Sequence, residues 1–384
     1  MNSRQRLITA QAHREPDRVP IDLGGTDVTS ICKGAYLDLM AYLGRDPGQV
    51  ELVNLVEQLP RLDDAFLDEV IRSDTRQVRE KGGSSWQLQI EDDGRYLNYT
   101  SEWQIGLRMP KENGHYFDLV GFPLKEPTQQ TLESFAWPDP ADPARWQNLD
   151  EETRRLYEST SYGLVIGCVF GGGVFEFPQY LRGMQTYLMD LVANPDFADA
   201  LMERITEIMC EAYRQMLLKV GPYVQVVSVC DDLATQLGPM ISPEIYRKRI
   251  KPLQKRLIET VKAHSQASVL YHGCGATRVF LPDLIDIGVD SLNPVQVNAR
   301  GLEDTAELKR TFGKELTFWG GVCDTQHVLP FGTPQEVREE TRRRLDDLMP
   351  GGGFVAAPIH NIQDGVPPEN IIAMYETIHE FGVY

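Results

Sequence analysis

From about residue 160 to the C-terminus, short apolar runs alternate with amphipathic stretches, and few folds accommodate that rhythm. The runs at 163–170, 224–229, 267–271, 289–292, 316–319 and 353–357 read as short strands. Alternation of such strands with amphipathic helices suits a parallel sheet. Between them, helical periodicity covers 176–192, 195–219, 243–263, 278–287, 302–312, 334–348 and 368–381. Asn194-Pro195 and Ser242-Pro243-Glu244 supply helix start signals. An earlier strand spans 18–25 and ends in glycines, flanked by helices over 3–12 and 31–43. A further helix is expected over 60–73. Five or more successive βα units after a first strand near residue 20 predict an α/β fold, a (β/α)8 TIM barrel rather than an open sheet.

The region 76–125 breaks this rhythm. Ser85 to Ile90 alternates, Asp92-Asp93-Gly94 supplies a turn, and Tyr96 to Thr100 returns as a partner strand. Trp103 to Met109 extends the meander. The expectation is a single domain over 1–384, with an N-terminal helical extension and 76–125 as a β-rich insertion over the barrel mouth. Residues 125–150, rich in Pro and Asp, read as a connection.

Length and composition fit a soluble globular enzyme of 384 residues. A formal net charge of −18 disfavours nucleic acid, anionic membranes and highly carboxylated ligands. The N-terminal segment has no apolar signal core, and no run approaches membrane-span length, which predicts a cytoplasmic protein with reduced thiols. Of the six cysteines, Cys168, Cys210 and Cys230 fall in apolar or helical patterns and read as core packing, while Cys32 carries no assigned role.

In a barrel, residues just past the strands share one face, so these positions form the functional inventory. They are Asp231 and Asp232, His272 and Cys274, Asn293 and Gln296, Cys323 and Asp324, and His360 with Asn361. An imidazole and two thiolates from His272, Cys274 and Cys323 suit Zn²⁺, with a fourth position open to substrate or water. Asp231 and Asp232 are candidates to orient a metal-bound imidazole or to move a proton, with helix capping as the plain alternative. His360 is a further ligand, a substrate contact or a satisfied loop residue. Asn293 and Gln296 are candidate substrate contacts. Trp86, Tyr96, Tyr99, Trp103 and Tyr116 could line a substrate mouth, although packing explains most such aromatics. No GxGxxG follows a strand, so a dinucleotide site is not expected.

The C-terminal two thirds resemble the uroporphyrinogen decarboxylase superfamily, which includes zinc-dependent corrinoid methyltransferases. The resemblance runs through Asp231-Asp232-Leu233, Gly238 to Pro243, His272-Gly273-Cys274-Gly275 and Asp290 to Gln296. It continues through Trp319-Gly320-Gly321, Leu329 to Pro334, Pro358 to Ile362 and Pro367 to Asn370. Before residue 160 it is loose, carried mainly by Glu15 to Pro20. True decarboxylases of the superfamily carry an arginine-bearing R-x-P-x-W-x-M-R-Q motif, and Arg18 to Gly25 here lacks its tryptophan and second arginine.

The methyltransferase branch is the better match. Its His-x-Cys corresponds to His272 and Cys274, whereas its distant cysteine, set in Pro-Gly-Cys-Gly, aligns near His360; the third ligand is therefore Cys323 or His360. The resemblance implies methyl transfer between a small methylated ether, amine or thioether, or a thiol, and a corrinoid. With no Asp-x-His-x-x-Gly in the chain, that corrinoid belongs to a separate partner protein. The alternatives are a metal-independent decarboxylase or lyase acting on a small carboxylic acid, and a non-catalytic binding barrel. The sequence leaves the methyl donor and the oligomeric state, a homodimer included, open.

Overall fold

The computed structural model describes residues 1–384. Its central sheet contains β1 (Thr75–Val78), then, after an insertion carrying β2 (Glu91–Asp92), β3 (Tyr96–Thr100), β4 (Gly106–Pro110) and β5 (Asp118–Gly121), the strands β6 (Gly163–Ile166), β7 (Val226–Cys230), β8 (Ser268–His272), β9 (Ser291–Asn293), β10 (Thr317–Trp319) and β11 (Phe354–Val355). The seven strands β1 and β6–β11 pair in parallel, in the order β11-β10-β9-β8-β7-β6-β1. Residues 20–22 close the ring. Ala356 N–H donates to the Pro20 carbonyl, Asp22 N–H to the Ala356 carbonyl, and Asp74 N–H to the Ile21 carbonyl. This short segment is the eighth stave, and the expected barrel forms.

Strand parity sorts the core, because successive side chains point to opposite faces. Val165, Val226, Leu270, Trp319 and Val355 point inward, while Leu164, Ile166, Val227, Val269 and Phe318 pack outward under the helices. Leu7, from the helix Ser3–Gln11, joins the inward cluster and plugs the N-terminal end. A Cβ at Gly163 would sit 2.4 Å from Leu7 Cδ2, so any larger residue there would displace the leucine tip.

Several expectations shift. The stave Thr75–Val78 falls at the boundary predicted for the insertion, so the inserted sheet begins only after Val78. Its four residues are too short to announce themselves beside a β-rich neighbour. The helix expected over 176–192 divides into Glu176–Arg182 and Met184–Ala193 at Gly183, whose φ is +85°. The strand expected through Phe170 stops at Ile166. The helix expected over 60–73 reduces to Asp64–Phe66 and a wider turn at Leu67–Ile71.

The insertion forms an antiparallel sheet in the order β2-β3-β4-β5. It lies on the side where the barrel strands end. Trp103 packs on Phe177 at 4.3 Å and Phe170 at 5.3 Å between ring centroids, and Tyr116 reaches Asn361 beyond β11. No helix is long and apolar enough to cross a membrane.

Cys168 and Cys230, expected as free core thiols, are joined in a disulfide between the ends of β6 and β7. Adjacent parallel staves bring their Cα atoms to 6.0 Å, within bridging distance. No local CxxC spacing marks the pair, because 62 residues separate them.

Candidate metal centre

His272 ends β8 with the parity of Leu270, so its imidazole points into the barrel mouth. The β8–β9 register pairs it with Asn293, which has the same inward parity. The consequence is direct: His272 Nδ1 lies 2.6 Å from Asn293 Oδ1. The Asn293 amide donates from Nδ2 to the Trp319 carbonyl at 3.0 Å, which turns its Oδ1 toward the histidine. A carbonyl-type oxygen requires a protonated Nδ1, leaving the lone pair on Nε2. His272 Nε2 is 3.7 Å from Cys274 Sγ.

Cys274 sits on a turn tied down on both sides. Its N–H donates to Asp232 Oδ1 at 2.7 Å, and the Gly275 N–H donates to Gln296 Oε1 at 2.6 Å. Gly275 has φ +89°, and a Cβ there would lie 2.5 Å from the Ala234 carbonyl oxygen. His360, in the loop after β11, completes the group. Its ring centroid is 5.6 Å from that of His272, and its Nδ1 meets Asn361 Oδ1 at 2.9 Å. Single donor atoms of His272, Cys274 and His360 all lie within 4.8 Å of one another.

The electrostatics favour a cation. Burial pushes the Cys274 thiol well above its ordinary pKa, and the neighbouring Asp232 raises it further. Burial, with His272 nearby, holds His360 down at about 4, so it is neutral and its lone pair is available. Two imidazole nitrogens and a sulfur are a donor set that could hold a zinc ion.

The structure separates the residues read from sequence. His272, Cys274 and His360 come together, but Cys323 does not join them. Gly320 and Gly321, with φ of +90° and +86°, redirect the chain after β10. Cys323 is consequently 0 % exposed in the hydrophobic core beneath Glu340 and Arg344. Asp231 braces the mouth rather than opening into it. Its Oδ1 accepts from the N–H groups of Phe175 and Glu176, and its Oδ2 accepts from Gln254 Nε2. Burial raises its pKa to about 7. Asn293, expected to meet substrate, has both ends of its amide bound within the protein.

Gln296 keeps a place on a cavity of about 320 Å³ lined also by Cys274, Gly275 and His360. Ala234, Thr235, Gln236, Thr325, Gln326 and Ile359 complete that lining. Glu176 escaped the sequence reading. It follows the glycines at 171–173, and a Cβ at Gly173 would fall 2.1 Å from Asp231 Oδ1. That tight passage brings Glu176 beside Asp232 and Tyr180, whose hydroxyl donates to Glu176 Oε1 at 3.0 Å.

Comparison with known proteins places this architecture. The profile of the uroporphyrinogen decarboxylase (URO-D) family matches residues 121–381, more than half of the chain. The chain belongs to the uroporphyrinogen decarboxylase family. Within it, the chain is similar to the methylcobamide:CoM methyltransferase MtbA of Methanosarcina mazei, 27 % identical over 205 residues, covering 52 % of this chain and 56 % of the relative. MtaA of Methanosarcina barkeri, also named a methylcobamide:CoM methyltransferase, is 26 % identical over 210 residues, with 52 % and 57 % covered. The uroporphyrinogen decarboxylase of Geobacter sulfurreducens is 24 % identical over 281 residues, with 70 % and 76 % covered. The alignments to the two methyltransferases span little more than half of their length. A solved methyltransferase from Methanosarcina mazei shares the fold over 99 % of both chains, with a TM-score of 0.66 and 17 % identity.

Proposed function

We propose that this member of the URO-D family is a zinc-dependent methyltransferase that works with a corrinoid-bearing partner protein and a small methylated substrate or thiol. The observation that carries the reading is the convergence of His272, Cys274 and His360 at the strand ends. Similarity to two proteins named methylcobamide:CoM methyltransferases supports it. His272 and His360 would offer Nε2, and Cys274 its thiolate. Zinc bound there supplies Lewis-acid polarisation of a substrate heteroatom, or ionisation of an accepting thiol.

The remaining work falls to the chain itself. Asn293 and Asn361 hold the two imidazoles in the tautomer with Nε2 unprotonated. Asp232 and Gln296 fix the backbone on either side of the Cys274 side chain. Porphyrinogen decarboxylation is disfavoured by charge. Arg18, the arginine remaining from the decarboxylase motif, is consumed by Asp74 and the Val19 carbonyl at the opposite end of the barrel.

The test is metal content by inductively coupled mass spectrometry on protein purified without added metal, beside Cys274→Ser. About one zinc per chain is expected, lost in the variant. Methyl transfer is then assayed with cobalt(I) and methylcobalt corrinoids. Absence of metal with no uptake of offered zinc would return the protein to the metal-free lyase reading.

A further inference from the structure

The relatives named for coenzyme M act with a thiol that carries a sulfonate, and an anion needs a basic partner where it binds. The cavity beside Cys274 and His360 has none. Its polar lining is Thr235, Gln236, Gln296, Thr325 and Gln326, all uncharged. Arg300 is nearby in the chain, but it gives its backbone N–H to the Gln236 carbonyl, is exposed, and does not line the cavity.

The charges that flank this space are negative. Asp232 holds the Cys274 N–H on one side. On the other, the Asp324 carboxylate accepts from the N–H of Gln326, a lining residue, at 2.7 Å and from Asn298 Nδ2 at 3.0 Å. His327, exposed, meets the other Asp324 oxygen at 2.9 Å and is not among the residues that line the cavity. Two neutral imidazoles and a thiolate would leave bound zinc with a single net positive charge, already faced by Asp232, whose Oδ1 holds the Cys274 N–H. A ligand bringing a sulfonate, carboxylate or phosphate would lose its hydration and meet two carboxylates with no basic side chain in the lining to offset them.

Resting on the zinc-site reading above, we infer that the small-molecule partner of this site is uncharged: a methyl ether or thioether, or a thiol, bearing hydroxyl or carbonyl groups that the threonines and glutamines can hydrogen-bond. The amides offer both donors and acceptors and the threonine hydroxyls do the same, so such groups find partners at either polarity. At about 320 Å³ the cavity suits a molecule of small size. In this respect the site departs from one built for an anionic thiol.

The experiment loads the full-length protein with Co²⁺ and follows thiolate-to-cobalt absorption while titrating 2-mercaptoethanol against 2-mercaptoethanesulfonate, two thiols of one length and different charge. The uncharged thiol is expected to bind about tenfold more tightly, and Gln236→Arg is expected to move the preference toward the sulfonate. Equal or tighter binding of the sulfonate by the unaltered protein overturns the inference and leaves the metal centre standing. No cobalt–thiolate band from Cys274 before any thiol is added overturns the zinc-site reading, and the inference with it.

Discussion

The imidazole of His272 and the amide of Asn293 are locked together by strand register, Nδ1 to Oδ1 at 2.6 Å across neighbouring staves. Asn293→Ala should therefore weaken zinc binding about 10- to 100-fold, since an unanchored imidazole loses its tautomer and orientation. Asn293→Asp keeps an oxygen facing Nδ1 and should recover most of that loss. Chelator-competition affinities for both variants, with thermal melts to confirm folding, check the prediction. Equal weakening in the two would assign the effect to the Trp319 carbonyl contact instead.

His360 and Cys323 should respond in opposite ways. His360→Ala removes a donor from the convergent group, and stoichiometric zinc should fall. Cys323→Ser should retain zinc but lose about 1–3 kcal/mol of stability, because a hydroxyl would replace a thiol in an apolar core. Metal analysis and urea unfolding distinguish them. Loss of metal in Cys323→Ser with retention in His360→Ala would restore the thiolate pair read from the sequence.

The mixed outcome at these positions shows where the sequence was legible. Apolar runs reported the parallel barrel because both faces of each stave are covered, and His-x-Cys at the end of β8 needs only strand parity to point inward. The destination of Cys323 was not legible. Two left-handed glycines decide whether a residue past β10 faces the mouth or the helices, and their spacing reads the same either way. Glu176 was hidden for a similar reason, since its approach to Asp232 depends on the passage at Gly173 rather than on a motif. The disulfide joins residues close in space and remote in sequence, and neither local pattern carries a sign of it.

Glu57 makes stability depend on pH. Burial, reinforced by Asp27, raises its carboxyl from the ordinary 4.5 to about 7. The folded chain thus keeps a proton that the unfolded chain releases near pH 4.5, and folding stability contributed by this group falls as pH rises from 4.5 to 7. Glu57→Gln abolishes that titration. The variant should match the parent near pH 4 and exceed it by on the order of 2 kcal/mol near pH 8, after allowance for partial solvent access. Urea melts across this range check the sign; a variant less stable at pH 8 than at pH 4 relative to the parent would refute it.

The Cys168–Cys230 bridge closes a loop between residues 62 apart, and Cys230 leads directly into Asp231 and Asp232. A cross-link of that span restricts the unfolded chain by about 4 kcal/mol in the chain-entropy treatment. Cys230→Ser should lower the unfolding midpoint strongly under oxidising conditions and little in the presence of a dithiol, where the parent chain loses the same bridge. Because Asp232 anchors the Cys274 N–H, zinc should also dissociate faster from the reduced protein than from the oxidised one. Peptide mapping without reduction, melting curves with and without dithiothreitol, and zinc release followed with a chromogenic chelator address the chemistry, the energetics and the site in turn. Free thiols at both positions after purification in air, with melting curves insensitive to reductant, would show that the two cysteines pack without a bond.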